Sequence, residues 1–257
     1  MLFRSMDIIY PFLWAFGLCL GSFAGMSINR YQRIYAGEKI NIISPSSHCP
    51  HCKKSLKPMM LIPIFSYIYL KGKCYFCKKE INKSYFITEL IFLAVTVTLI
   101  FFETSILNIL VLLLIFCFLY ILLITDYNHF FLPIELNLTL LFFSICSAAL
   151  NIHTNITHAL FGAFFGYIVL YVINFIYKKF RTIDGIGFGD FILLASLGAL
   201  YGVYSIPFIL FFGSLFSLVI YLFKEKNKEN YVPFGSGLIL GAFLIFFLIE
   251  IELLRFI

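Results

Sequence analysis

Residues 136–177 read LNLTLLFFSICSAALNIHTNITHALFGAFFGYIVLYVINFIY, a run without a single Asp, Glu, Lys or Arg. About 20 apolar residues make one bilayer crossing, so this stretch holds two, broken at the polar run 151–158. On its N-terminal side, 106–124 gives one crossing, 85–102 another that tolerates Glu89 near its end, and 8–29 the first. On its C-terminal side, 191–223 is again uncharged but has room for two crossings only if the first begins before Phe191, which draws Asp190 toward the bilayer. The segment 231–249 supplies an eighth crossing. The expected fold is therefore all-α: a polytopic membrane helical bundle of about eight transmembrane helices. It divides into a first transmembrane helix (1–30), an extramembrane four-cysteine segment (31–84) and a membrane domain with seven transmembrane helices (85–257).

Composition agrees with lipid as the solvent. The chain of 257 residues is 61% hydrophobic and 12% charged, where a soluble domain carries roughly 25% charge. The net charge of +6 does not point to nucleic acid, because no arginine-rich strip interleaves with stacking aromatics. It reads instead as topology and anionic lipid. Of the 19 Lys and Arg, 17 fall in three loops on one side: 30–83, then Lys178, Lys179 and Arg181, then Lys224, Lys226 and Lys228. Arg4 and Arg255 lie on the other side. Cytoplasmic loops hold the basic excess, so both termini are expected outside and the four-cysteine segment inside. The N-terminal apolar run is long and its positive charge follows it, which favours a retained helix over a cleaved signal.

Four of the seven cysteines form two pairs in the basic segment, Cys49-Pro50-His51-Cys52 and Cys74-Tyr75-Phe76-Cys77. Two thiolates spaced by two residues can share one tetrahedral ion, and a second pair closes a four-thiolate zinc site. A segment this short buries little core, so a structural zinc would supply its folding energy. A redox dithiol and unrelated packing thiols are the other readings. His48 and His51 flank the first pair as solvated or supporting groups, and Cys19, Cys117 and Cys146 read as small buried hydrophobes.

Charge at membrane depth is costly and marks function. Asp126 closes the third span and Asp190 opens the sixth within Gly185-Ile186-Gly187-Phe188-Gly189-Asp190. By the topology above, both carboxylates lie just inside the same surface. Two carboxylates that approach closely share one proton; the ionised member can activate water while the protonated one polarises a peptide carbonyl. Gly187 and Gly189 allow a helix start and close approach of an extended substrate backbone. A helix N-terminus also suits Asp190 as a simple cap. Asp126 at a helix C-terminus has no such structural comfort. Asp184, beside Arg181, reads as solvated, as does Asp7; Glu103, Glu135, Glu250 and Glu252 sit near interfaces.

These residues resemble the bacterial type IV prepilin peptidases, membrane aspartyl proteases of the GxGD kind, along nearly the whole chain. Gly21-Ser22-Phe23 with Asn29-Arg30, the run from Ser47 to Leu56, Ile62-Pro63-Ile64-Phe65-Ser66, Lys71-Gly72-Lys73-Cys74 and Glu89-Leu90 follow that pattern in order. Asp126 seven residues before Pro133, then Gly187-Phe188-Gly189-Asp190, Ala195-Ser196-Leu197-Gly198 and Pro233-Phe234-Gly235 complete it. Asn128, Ile134 and Ile192 depart from it at positions the family usually fills with charge. The resemblance implies a bacterial inner-membrane enzyme that cuts the short basic leader from prepilin or pseudopilin substrates at the cytoplasmic face, with Asp126 and Asp190 as catalytic pair. It also implies methylation of the freed amine from S-adenosylmethionine, associated with the cytoplasmic segment. A proton-coupled transporter is the alternative class, but it predicts midplane charges and repeated halves. A zinc-dependent membrane scaffold would leave the glycine-bounded aspartate unused.

Overall fold

A backbone in hydrocarbon must satisfy its hydrogen bonds internally, so long uncharged runs become helices. The computed structural model describes residues 2–42, 44, 46–103, 105–224 and 232–250, with the side chains of 2–8 and 250 left aside. The readings of Lys226, Lys228, the start of the eighth span at 231, Glu252 and Arg255 therefore lie outside the described residues, as do those of the Arg4, Asp7 and Glu250 side chains.

Among the described residues the chain is helical apart from turns and two isolated bridges. The helices are α1 Leu2–Tyr35, α2 Phe65–Tyr69, α3 Lys83–Phe102, α4 Ile106–His129, α5 Ile134–Ala149, α6 Ile156–Arg181, α7 Phe188–Tyr201, α8 Ile206–Phe223 and α9 Phe234–Glu250. Five of them, α1, α3, α4, α6 and α8, are long and apolar enough to cross a membrane, while α5, α7 and α9 are apolar but shorter. The chain is thus a polytopic helical membrane protein; where the sequence implies about eight crossings, the described residues hold five helices of spanning length and three shorter apolar ones. Two of the three short ones, α5 and α7, are stopped by backbone chemistry. Pro133 precedes α5 and Asn151 beyond its end takes φ 53°; Gly202 at φ 84° ends α7. At 14 residues α7 spans only about 21 Å, short of a full crossing.

The chain forms two compact units, Met1–Cys117 and Phe118–Ile257, with the boundary inside α4. In the first unit α1 lies against α3. Gly17, Gly21 and Gly25 make that approach possible: a Cβ on Gly21 would stand 3.0 Å from Glu89 Cα and Phe92 Cβ. Between these helices, residues 36–82 form two small knuckles, a 3-10 turn at Pro58–Leu61 and α2. Tyr67 of α2 stacks on Phe86 of α3, with centroids 4.8 Å apart.

In the second unit α7 is buried along its length from Asp190 to Tyr201, as befits a helix apolar on every side. It packs chiefly against α6 and α5, with α9 and α8 adding smaller contacts, and α8 pairs with α9. Small residues again set the separations. Gly162 meets the backbone of Gly198, Gly166 lies against Leu194, and Gly237 and Gly241 lie against Gly213. Without a hydrophobic force between helices in lipid, such close backbone contact carries their association.

Candidate active site

Asp126 lies in the last turn of α4 and is 5% exposed. Its Oδ2 accepts hydrogen bonds from the Ser236 N–H (2.5 Å) and the Ser236 hydroxyl (2.7 Å). Ser236 is in the first turn of α9, where backbone N–H groups have no helical partner and the dipole favours an anion. The structural comfort that Asp126 lacks on its own helix comes from the start of another, 110 residues away in sequence. Gly235 permits the approach: a Cβ there would stand 3.2 Å from Asp126 Cγ and 2.8 Å from Leu132 Cδ1.

Asp190 occupies the first turn of α7 and is 9% exposed, with Gly187 as the N-cap residue. Its own N–H donates to the Gly187 carbonyl at 3.1 Å. Its Oδ1 is buried and has no hydrogen-bond partner among the described residues. Buried polar atoms are almost always paired, so an unpaired carboxylate oxygen signals a place kept for something else. Asp126 is within electrostatic range of Asp190. Leu132 lies beneath both N-termini, against Gly235 and against Gly189, where a Cβ would come within 2.8 Å of Leu132 Cβ. The missing Gly189 side chain thus makes room for Leu132. Gly187 has the ordinary extended conformation (φ −69°, ψ 145°).

Two asparagines shape this loop, and both escaped the reading of charged groups. Asn174 of α6 is buried; its Oδ1 accepts from the N–H groups of Gly185 (2.8 Å) and Ile186 (3.1 Å), while its Nδ2 donates to Asp184 Oδ1. Asn137 of α5, fully buried, donates to the Gly189 carbonyl at 3.1 Å. They are two of the four asparagines in the uncharged run 136–177, and the only two that lie inside its apolar segments rather than in the polar break. Asp184 pairs with Lys178 at 2.9 Å rather than with Arg181; this lysine, with Asn174, holds its carboxyl below the usual range. At the end of α8, Lys224 sits 4.5 Å over the Tyr127 ring and 4.4 Å over that of Phe130, donating to the Tyr127 carbonyl. Burial pushes its ammonium below the ordinary value against the pull of Asp126. Ile192, where the resembled family usually carries lysine, is buried and apolar, and Lys224 puts a cation near Asp126 from another helix.

In the first unit the four thiols of Cys49, Cys52, Cys74 and Cys77 lie within 4.8 Å of one another. Each pair sits in the same turn. Cys49 N–H donates to the Lys54 carbonyl and Lys53 N–H returns to Cys49; Cys74 N–H donates to Lys79 and Lys78 N–H returns to Cys74. Lys53 and Lys78 take the same positive φ, 56° and 60°, so the two pairs repeat one local structure. Cys49 Sγ and Cys77 Sγ are 3.8 Å apart, matching the edge of about 3.8 Å that a tetrahedral site with 2.3 Å zinc–sulfur bonds requires. Burial pushes the Cys74 thiol up, but the N–H groups of Cys77 and Phe76 and the neighbouring thiols bring it down to about 7. At Cys77 the Lys79 N–H is outweighed by burial and by its three thiol neighbours, which push it up to about 11. The cluster yields its first proton readily and its last reluctantly, as four thiols in one space must without a cation. These residues could hold a metal ion. His48 turns its Nδ1 to the Ser46 carbonyl, and neither His48 nor His51 joins the cluster. Of the remaining cysteines, Cys117 is buried and Cys146 partly so, but Cys19 is exposed, a position that lipid tolerates.

Beside the knuckles lies a cavity of about 790 Å³, lined among others by Ser22, Asn29, Arg30, Tyr67, Tyr85 and Glu89.

Two family models match the chain in succession: the bacterial peptidase A24 N-terminal domain over residues 15–103 and the type IV leader peptidase family over 113–222. Among curated proteins, the prepilin leader peptidase/N-methyltransferase of Dichelobacter nodosus is 30% identical over 257 residues, covering 91% of this chain and 90% of its own. That of Vibrio cholerae serotype O1 is 29% identical and covers 96% and 100%; that of Pseudomonas aeruginosa is 29% identical and covers 89% and 86%. No solved structure matches the chain. With thirty percent identity sustained along nine-tenths of both sequences, this chain belongs to the type IV leader peptidase family.

Proposed function

We propose that this chain is a membrane aspartyl endopeptidase that removes the short basic leader of prepilin or pseudopilin substrates and N-methylates the new terminus from S-adenosylmethionine. The observation that carries the peptidase reading is the pair of buried carboxylates at two helix N-termini, one with an oxygen that accepts two hydrogen bonds and the other with an unpaired oxygen. Asp126, accepting two hydrogen bonds from Ser236, is suited to be the carboxylate that takes a proton from water. Asp190, with Oδ1 unengaged, is suited to hold the shared proton and pass it to the scissile carbonyl. Asn174 and Asn137 fix the loop that carries Asp190, with Gly187 as the N-cap of α7 and Gly189 as its close-packed position. The names of the relatives support both activities, and nothing among them favours a transporter.

The four cysteines fit a structural zinc by donor type and by their 3.8 Å edge. S-adenosylmethionine supplies an electrophilic methyl group, and the cavity beside the knuckles is the place of matching size. Its aromatic walls at Tyr67 and Tyr85 and its polar groups at Asn29 and Arg30 suit an adenosine bearing an amino acid. Residues 31–84 would then serve methylation and 85–257 cleavage. The basic excess supports a location in the bacterial inner membrane with both aspartates facing the cytoplasm.

The test is incubation of purified chain with a prepilin and labelled S-adenosylmethionine, reading the two reactions separately. Asp126→Asn and Asp190→Asn should each cut leader cleavage by about 10²–10⁴-fold while the protein stays in the membrane fraction. Normal cleavage by either variant rejects the assignment.

A further inference from the structure

Glu89 is a buried carboxylate that the cleavage chemistry leaves unused. The sequence treats it as a charge tolerated near the end of a span; the structure makes it a wall of the 790 Å³ cavity, 7% exposed. Its Oε2 accepts the Ile64 N–H at 2.6 Å, and the Ser22 hydroxyl is its other partner. Ile64 has φ 60° and ψ −55°, and the Phe65 N–H reaches the Pro63 carbonyl at 2.6 Å. This is a γ-turn of the strained, positive-φ kind at a β-branched residue. Such strain persists only when its surroundings hold it, and it gathers at functional sites.

Neutral donors thus fix the orientation of the Glu89 carboxylate. Among the described residues no Lys or Arg forms an ion pair with it. An anion buried at membrane depth with neutral partners alone keeps an uncompensated charge, and the space beside it is an open cavity. The cavity's basic residues, Arg30, Arg33, Lys53 and Lys83, make no ion pair with Glu89 among the described residues, so the carboxylate is open to a cation that enters the cavity. On the reading that this chain methylates its product, the substrate of that step carries one: the ammonium released by cleavage.

We propose that Glu89 is the acceptor-amine site of methyl transfer, receiving the new N-terminal ammonium and taking its proton. The amine nitrogen then has a free electron pair to form the new C–N bond. The bonding pair of the broken C–S bond stays with sulfur, and the proton held by Glu89 passes to water. The strained turn at Ile64 presents Ser66 and Tyr67 to the same cavity, so one carboxylate both shapes the wall and orients the amine.

The proposal rests on the methylation reading, and its test separates the two. Glu89→Gln keeps an oxygen for the Ile64 N–H and loses only the charge. It should cleave a prepilin at the wild-type rate, which reports folding, and bind S-adenosylhomocysteine with unchanged Kd by calorimetry. Its methylation should fall about 100-fold, with Glu89→Asp intermediate. Independently of activity, wild-type protein should bind a pre-cleaved peptide with a free amine about tenfold more tightly than its N-acetylated form, a preference that Glu89→Gln abolishes. Methylation by Glu89→Gln near the wild-type rate, or an unchanged amine preference, overturns the proposal. A weakened Kd for sinefungin with S-adenosylhomocysteine unaffected would place the carboxylate at the charged centre of the donor and also overturn it. If wild-type protein does not methylate, the methylation reading fails, and the amine-preference arm still decides the role of Glu89.

Discussion

Ser236 makes the dependence of one residue on another concrete. Its hydroxyl and N–H both serve Asp126 Oδ2, and a hydrogen bond to a charged group contributes about 1.5–3 kcal/mol. Ser236→Ala keeps the N–H and removes the hydroxyl, so leader cleavage should drop about tenfold at the lower end of that range, while methylation of a pre-cleaved substrate is retained. An unchanged cleavage rate would show that the backbone donor suffices. Both aspartates were legible in the sequence, because charge in an apolar run stands out. Ser236, Asn137 and Asn174 were not, because a neutral polar side chain costs little in a helix until its neighbours are known. Glu89 was visible as a charge and was read as peripheral, since only the fold brings Ile64 and Ser22 to it.

At the level of helices, the sequence reading located most breaks among the described residues but not the one between α7 and α8, where Gly202 takes φ 84°. The polar run 151–158 contains the turn between α5 and α6, and α7 does begin before Phe191, at Phe188. What it did not use was the four-residue spacing of glycines in α1, α6 and α9, which sets how closely each helix approaches its partner. Gly162→Leu should force α6 off the backbone of Gly198, at a cost of 3 kcal/mol or more, the upper end of about 1–3 kcal/mol for overpacking. Thermal unfolding in detergent should show the loss, accompanied by loss of cleavage. Phe161→Leu on the exposed face of the same helix should stay within about 0.5 kcal/mol of wild type. Equal effects from the two would mean that the Gly162–Gly198 contact carries no special weight.

For the whole molecule, two consequences can be measured. Metal analysis of reduced, purified protein should find about one zinc per chain, as a single four-thiolate site requires, and chelation should make residues 36–82 sensitive to protease while the spans persist. Absence of metal would return the dithiol reading. Lys71→Cys, in an exposed position of the basic segment, should resist a membrane-impermeant maleimide in intact cells and react in inverted vesicles; the reverse result would invert the topology. The sequence alone determined that the chain lives in lipid, how many apolar helices it has, which loops carry the positive charge and which thiols cluster, since each follows from local composition and spacing. Tertiary structure alone decided that the start of α9 receives Asp126, that the Oδ1 of Asp190 is left without a donor, and that Glu89 holds a strained turn at the edge of a cavity. Those pairings join residues up to 110 positions apart, and a local pattern contains no record of which distant donor will fold against a given carboxylate.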